Sequence, residues 1–90
     1  MKFEWDVNKA KSNVIKHKIS FDEAQTVFED DFTVTINDDE HSINEKRFIT
    51  IGHSASGRLL IVCHTLDDNK IRIINARKPT KTERKDYENG

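Results

Sequence analysis

Cys63 has no second cysteine to pair with. That excludes an intrachain disulfide framework and suits a reducing compartment. The chain also lacks a long apolar run and an N-terminal apolar stretch of the kind a secretory signal needs, so a cytoplasmic protein without membrane contact is expected. Metal-ligand spacing is missing. His17, His41, His53 and His64 are scattered, and "DDEH" (38–41) reads as a hydrated acidic loop, so neither metal nor cofactor is expected. "GHSASG" lacks the Lys-Ser/Thr that follows in a phosphate loop and reads as a turn. No Ser-His-Asp or Cys-His arrangement can be drawn, because Cys63 falls inside an apolar strand. Phe3, Trp5, Phe21, Phe28, Phe32 and Phe48 occupy mostly core positions and leave no base-stacking platform. Linkers and internal repeats are absent, and 90 residues make one domain, 1–90.

What is present is charge. Hydrophobic and charged residues each make up 34%, close to the composition of a disordered chain, but the apolar residues are clustered and periodic, which argues for folding. The net charge of −1 conceals a division. Residues 1–45 hold five Lys/Arg against eleven Asp/Glu, and residues 46–90 hold ten against five. A charge dipole along the chain suits contact with phosphates, since local potential rather than net charge governs such contact. The acidic half folding against the basic half is the other explanation.

Periodicity and capping signals give the element order. "FEWD" reads as a short strand or coil ending at Asp6, a helix N-cap. Residues 8–17 are helical, with Ala10 and Val14 on one face. Ser20 and Glu23 form a capping-box pair before a second helix with the apolar stripe Phe21, Ala24, Val27, Phe28. "FTVTI" alternates as a half-buried strand, 37–45 is a polar loop, and "KRFITIG" and "RLLIVCHT" form a hairpin. A last strand covers residues 70–77, and after Pro79 the pair Thr80 and Glu83 opens a short C-terminal helix. The class is α+β: two N-terminal helices on an antiparallel meander of about four strands.

The last strand carries the candidate chemistry. Period two puts Ile71, Ile73, Asn75 and Arg77 on one face and Arg72, Ile74, Ala76 and Lys78 on the other. On the C-terminal helix, Lys81, Arg84 and Lys85 share a face that begins beside Arg77 and Lys78. Neighbouring cations repel, and a phosphate ligand resolves that cost. Arg47 and Arg58 flank the hairpin strands and either extend this patch or are ordinary strand-end charges. Tyr87 shares the face of Arg84 and could transfer a proton, though packing is the commoner role of such a tyrosine.

"FEWD", "SFDEAQTVFED", "EKRFITIG", "GRLLIVCHT" and "IRIINARKPTKTERKDYE", in this order, resemble the BrnT family of bacterial type II toxins. The resemblance implies a RelE-like α+β fold and a small ribonuclease that inhibits translation. It also implies neutralisation by a BrnA antitoxin with a ribbon-helix-helix part, and operon autoregulation by the complex, so operator DNA is met only through the antitoxin. The family's basic motif falls on Arg47, Arg58, Arg72, Arg77, Lys78, Arg84 and Tyr87. Two positions depart: Lys18 stands where the family has glycine after the first helix, and "ARKPT" replaces A-R-K-A-T.

The expected chemistry is metal-independent attack of the RNA 2′-hydroxyl on the adjacent phosphate. Arg72 and Arg77 would stabilise charge, with Lys78 and Arg84 holding the backbone and Lys81 adding a weaker phosphate contact. Tyr87 or His64 would carry a proton. The competing expectation is a non-catalytic module whose basic face docks an acidic protein or nucleic acid.

Overall fold

Capping chemistry sets the helix boundaries in the computed structural model, which describes residues 1–42 and 44–90. The Asp6 carboxylate accepts from the N–H groups of Asn8 and Lys9 and starts α1 (Val7–His17). The helix stops where Lys18 enters the left-handed region, at φ 60° and ψ 34°. Glycine adopts that conformation without the steric cost of a Cβ, so the departure at this position carries local strain. Ser20 caps α2 (Phe21–Thr26), which tightens into a 3-10 turn at Val27–Glu29. Thr80 and Glu83 form a reciprocal capping box at the start of α3 (Lys81–Asn89).

Five strands build one sheet: β1 (Lys2–Trp5), β2 (Val34–Asn37), β3 (Arg47–His53), β4 (Leu59–Asp67) and β5 (Lys70–Arg77), in the order β1-β5-β4-β3-β2. The last four form the antiparallel meander. "FEWD", read as strand or coil, is a strand and runs parallel to β5, with Phe3 opposite Ile71 and Trp5 opposite Ile73. The sheet therefore has one strand more than about four and is not purely antiparallel. Of residues 37–45, read as loop, Asn37 ends β2 and Asp39–His41 form a 3-10 turn.

α1 and α2 cover one face. Ile19, Phe21, Ala24 and Val27 pack there on Leu60, Val62, Ile71, Ile73 and Ala76. Truncating a fully buried residue of this layer, such as Leu60, to alanine costs roughly 2–5 kcal/mol. Gly52 passes so close beneath the chain that a Cβ would lie 2.6 Å from Thr33 Cγ2, so no larger residue fits without a shift.

Two departures from simple alternation decide what the other face displays. Cys63 lies opposite Asn75 while His64 lies opposite Ile73, so Ile74 is an extra residue in β5. This bulge reverses the alternation partway along the strand. Ile71, Ile73 and Ala76 face the helices, and Arg72, Asn75 and Arg77 share the open face, which corrects the grouping of Arg77 with Ile71 and Ile73. In β2 the alternation holds, but its threonine side points inward: Thr35 bonds Thr50 at 2.7 Å. Val34 and Ile36 are left exposed, and Phe32 just before them, counted with the core aromatics, is 79% exposed. No helix among the described residues is long and apolar enough to cross a membrane.

Candidate nucleic-acid interface

Strand register fixes the neighbours on the open face. Thr65 of β4 lies between Arg47 of β3 and Arg72 of β5, Cys63 lies between Ile49 and Asn75, and Ile61 lies between Ile51 and Arg77. Two strand spacings separate the Arg47 and Arg72 backbones, about 10 Å. Three of the arginines chosen from sequence thus share one surface, with Cys63 among them. Burial raises the Cys63 thiol above its ordinary value, with the Asp38 charge adding to this, so it is an inert core group.

Arg77 is held in a fork. Its two terminal nitrogens donate to the two carboxylate oxygens of Glu83 at 2.8 and 2.9 Å, and Glu83 Oε1 also accepts from the Thr80 N–H at 2.9 Å. The guanidinium beside it lowers the Glu83 carboxyl to about 2. Glu83, legible in sequence only as a capping residue, therefore also orients the candidate phosphate-binding arginine. Arg72 and Arg84 have only distant carboxylates, Glu4 at 3.9 Å and Glu88 at 4.0 Å. Among the described residues, Lys78 and Lys81 have no ion-pair partner.

Arg58 and His64 lie elsewhere. The Arg58 side chain reaches Glu23, donating from Nε at 3.0 Å and from a terminal nitrogen, and bonds the Lys18 carbonyl at 3.2 Å. Glu23 also accepts from Ser54 and Ser56, and with Arg58 foremost its carboxyl is lowered to about 2. The carboxylate that would have closed a capping box with Ser20 ties the β3–β4 turn to α2 instead. Arg58 is committed to that clamp. His64 is only 4% exposed, packed between Phe28 and Phe48, with Nε2 bonded to Thr50 at 2.8 Å. Burial lowers its pKa, so it is a neutral core residue away from any proton path at the surface.

Tyr87 reaches from α3 to β2. Its hydroxyl donates to the Phe32 carbonyl at 2.9 Å, and burial first, then the charge of Asp30, raises the phenol above its ordinary value. Its ring lies beside that of His53, whose Nδ1 is 3.7 Å from Asp30. Beneath α3 runs an apolar groove of about 320 Å³, lined by Val34, Ile36, Ile49, Ile51, Ile61 and Tyr87. No group of three His, Cys, Asp or Glu among the described residues is placed to hold a metal ion.

Sequence reasoning missed Asn13. Its amide is buried in α1, donates to the carbonyls of Ile19 and Ala76, and accepts from the Ala76 N–H. It thereby imitates a paired strand along β5 beyond the end of β1. The available signal was an amide on the inward side of a helix, where a neutral polar group needs partners.

A family model described as "Ribonuclease toxin, BrnT, of type II toxin-antitoxin system" matches residues 5–83. The matched span contains Arg47, Arg72, Arg77, Lys78, Lys81 and Glu83 and stops before Arg84 and Tyr87. Among solved structures, the chain is similar to the BrnT ribonuclease toxin of Brucella abortus, with a TM-score of 0.67, 18% identity, and coverage of 90% of this chain and 99% of that one. At that identity the likeness is one of fold. No curated protein sequence gives a significant match.

Proposed function

The chain belongs to the BrnT family of ribonuclease toxins of type II toxin–antitoxin systems, and from that premise we propose that it is a metal-independent endoribonuclease of the cytoplasm whose cleavage of RNA inhibits translation. The observation that carries this reading is the open face, where Arg77 is aimed by rigid strand backbone and a forked carboxylate, with Arg47 and Arg72 on the same face about 13 Å further along β4. The RNA 2′-hydroxyl attacks the adjacent phosphate, a 2′,3′-cyclic phosphate forms, and the 5′-oxygen leaves as a hydroxyl. With a nucleophile supplied by the substrate, the protein needs cations for the developing charge and groups that move two protons.

Arg72 and Arg77 take the charge, and Arg47, Lys78, Lys81 and Arg84 hold the backbone. Guanidinium forks fit two phosphate oxygens as they fit two carboxylate oxygens, so the Glu83 carboxylate marks where a phosphate competes for Arg77. Tyr87, once its hydroxyl leaves the Phe32 carbonyl, donates the proton to the leaving oxygen, and the proton of the attacking 2′-hydroxyl passes to solvent. As a toxin of a type II system the chain has an antitoxin partner. That partner is BrnA-like, lays an acidic segment across the Arg77–Arg84 region, and reads operator DNA with its ribbon-helix-helix part.

The test is incubation of purified chain with RNA in excess EDTA, followed by analysis of the product ends. Cyclic phosphate and 5′-hydroxyl ends are expected. Activity that vanishes in EDTA and returns with one divalent ion contradicts the mechanism. An inactive, folded chain that still binds RNA or an acidic protein supports the docking module instead.

A further inference from the structure

The division of charge along the sequence is resolved differently in space. All five cations of residues 1–45 precede Ile19, and nine of the eleven acids follow Phe21. α1 carries Lys9, Lys11 and Lys16 and no acidic residue, and Asn13 bolts it to the basic strand β5. Between them lies a cleft of about 470 Å³. Its wall includes Lys9, Lys16, His17, Ser12, Asn75 and Arg77, and no carboxylate lines it. The bulge in β5 turns Asn75 outward there, and Arg77 links the cleft to the open face.

Helix physics accounts for only part of this stripe. Lys16 and His17 sit in the last turn of α1, where cations suit the dipole. Lys9 sits in the first turn, where they do not. It holds the third helical position after the Asp6 cap, the place a capping-box Glu or Gln would fill, and the first turn contains no acid. Among the described residues neither Lys9 nor Lys16 has an ion-pair partner. Lys9, Ser12 and Lys16 recur at helical spacing, and two turns of helix put the two lysines about 10 Å apart along the axis. A local choice that costs helix stability at Lys9, in register with the donors Ser12 and Lys16, signals a ligand.

We infer that this cleft is a binding track for the phosphate backbone of single-stranded RNA, leading along α1 and over the bulge of β5 to Arg77. The inference deepens the ribonuclease reading and rests on it. The cleft suits a nucleic acid better than a protein segment, because its lining is cations, amides and a hydroxyl with Ile74 the one large apolar residue, whereas protein partners need buried apolar anchors.

The experiment titrates the full chain with a fully 2′-O-methylated oligoribonucleotide, which has no free nucleophile and stays intact, at several salt concentrations, alongside thermal melting. Lys9→Glu completes a capping box, so its Tm should equal or exceed that of the parent while affinity falls about ten-fold or more. Lys16→Ala should reduce the slope of log affinity against log salt by about 0.7, the value for one single-strand phosphate contact. Lys11→Glu is the control: same helix and charge, but facing a separate hollow beside Trp5 and Val14. Equal weakening by Lys9→Glu and Lys11→Glu overturns the track and leaves only diffuse attraction. Unchanged RNA affinity in Lys9→Glu with lost antitoxin co-purification overturns it in favour of an acidic protein. If the parent chain cleaves RNA and Lys9→Glu binds it equally well, the track alone falls. If the parent neither binds nor cleaves RNA, the ribonuclease reading falls with it.

Discussion

Two arginine–glutamate pairs in this molecule share a design and differ in what surrounds them. Glu23 and Glu83 each stand at the third position of a helix, behind Ser20 and Thr80, and each is lowered to about 2 by an arginine, Arg58 of the β3–β4 turn and Arg77 at the end of β5. Around Glu23, Ser54, Ser56 and the Lys18 carbonyl bonded by Arg58 close the arrangement on both sides. Around Glu83, the fork to Arg77 and the Thr80 cap hold the first turn of α3, and Tyr87 ties the far end to Phe32. One pair is locked among partners that cannot all be replaced at once. The other has a carboxylate 35% exposed against 19% for Glu23 and lies near Lys78 and Lys81, unpaired among the described residues, so in the proposed function a phosphate can take the place of its carboxylate without breaking the core.

Identical substitutions in the two pairs break that comparison most sharply. Arg77→Lys keeps the charge and loses the fork. RNA binding should change little while cleavage falls roughly 10²-fold or more, the scale for losing one preorganised donor at a developing charge. Arg58→Lys should do the reverse, lowering Tm and leaving the cleavage rate per folded molecule near that of the parent. Equal small losses of binding in both variants, with no separate effect on cleavage, would reduce Arg77 to part of a docking patch.

The acid partners sharpen it on a smaller scale. Glu23→Gln should lower Tm by roughly 5–10 °C, because charged hydrogen bonds in a partly buried network are lost. Glu83→Gln should lower it by no more than about 4 °C, because solvent screens that pair. It should also tighten RNA binding, since a competitor for Arg77 has gone. The pH profile carries the same signature. Both carboxyls ionise more readily folded than unfolded, so their stabilisation is complete above 4.5 and drains as pH falls toward about 2. His64 acts earlier. Its folded pKa is lowered, so below its ordinary 6.5 the unfolded chain takes up a proton that the core refuses, and stability begins to fall there. Acid denaturation followed by circular dichroism should show both limbs in the parent and a weaker lower limb in Glu23→Gln.

These contrasts also mark what the sequence made legible. The Asp6, Ser20 and Thr80 caps, the α2 stripe and the four-stranded meander were readable because each is a local pattern. So was the cluster of cations around Arg77. The partner of each arginine was not. Glu23 is 35 residues from Arg58, and no periodicity connects them. The extra residue at Ile74 was equally hidden, although it decides that Arg77 faces Ile61 on the open side rather than joining the core. His64 sat in a strand whose pattern fits either face, and only packing between Phe28 and Phe48 assigns it to the interior. A charge count by halves pointed to the basic end of the chain and passed over α1, because the acids after Phe21 outweighed its lysines in the sum.

The smallest effect belongs to Lys81, the first residue of α3, one side chain beyond the Arg77–Glu83 fork. It is exposed and has no ion-pair partner among the described residues, and as a cation in a helix's first turn it gains nothing from the dipole. Its replacement should therefore not destabilise the helix: Lys81→Ala removes an unfavourable charge and installs the best helix former. If the Arg77 pair opens onto a bound RNA backbone, Lys81 lies within reach of the next phosphate. Loss of its charge should then weaken binding slightly and reduce the salt slope by about 0.7, with the cleavage rate at saturating RNA unchanged. If the pair is closed, as the Arg58 clamp is, Lys81 faces only water, and salt titrations of Lys81→Ala and the parent will superimpose. A salt slope that falls together with the saturated cleavage rate would instead move Lys81 from holding the backbone to the reacting phosphate itself.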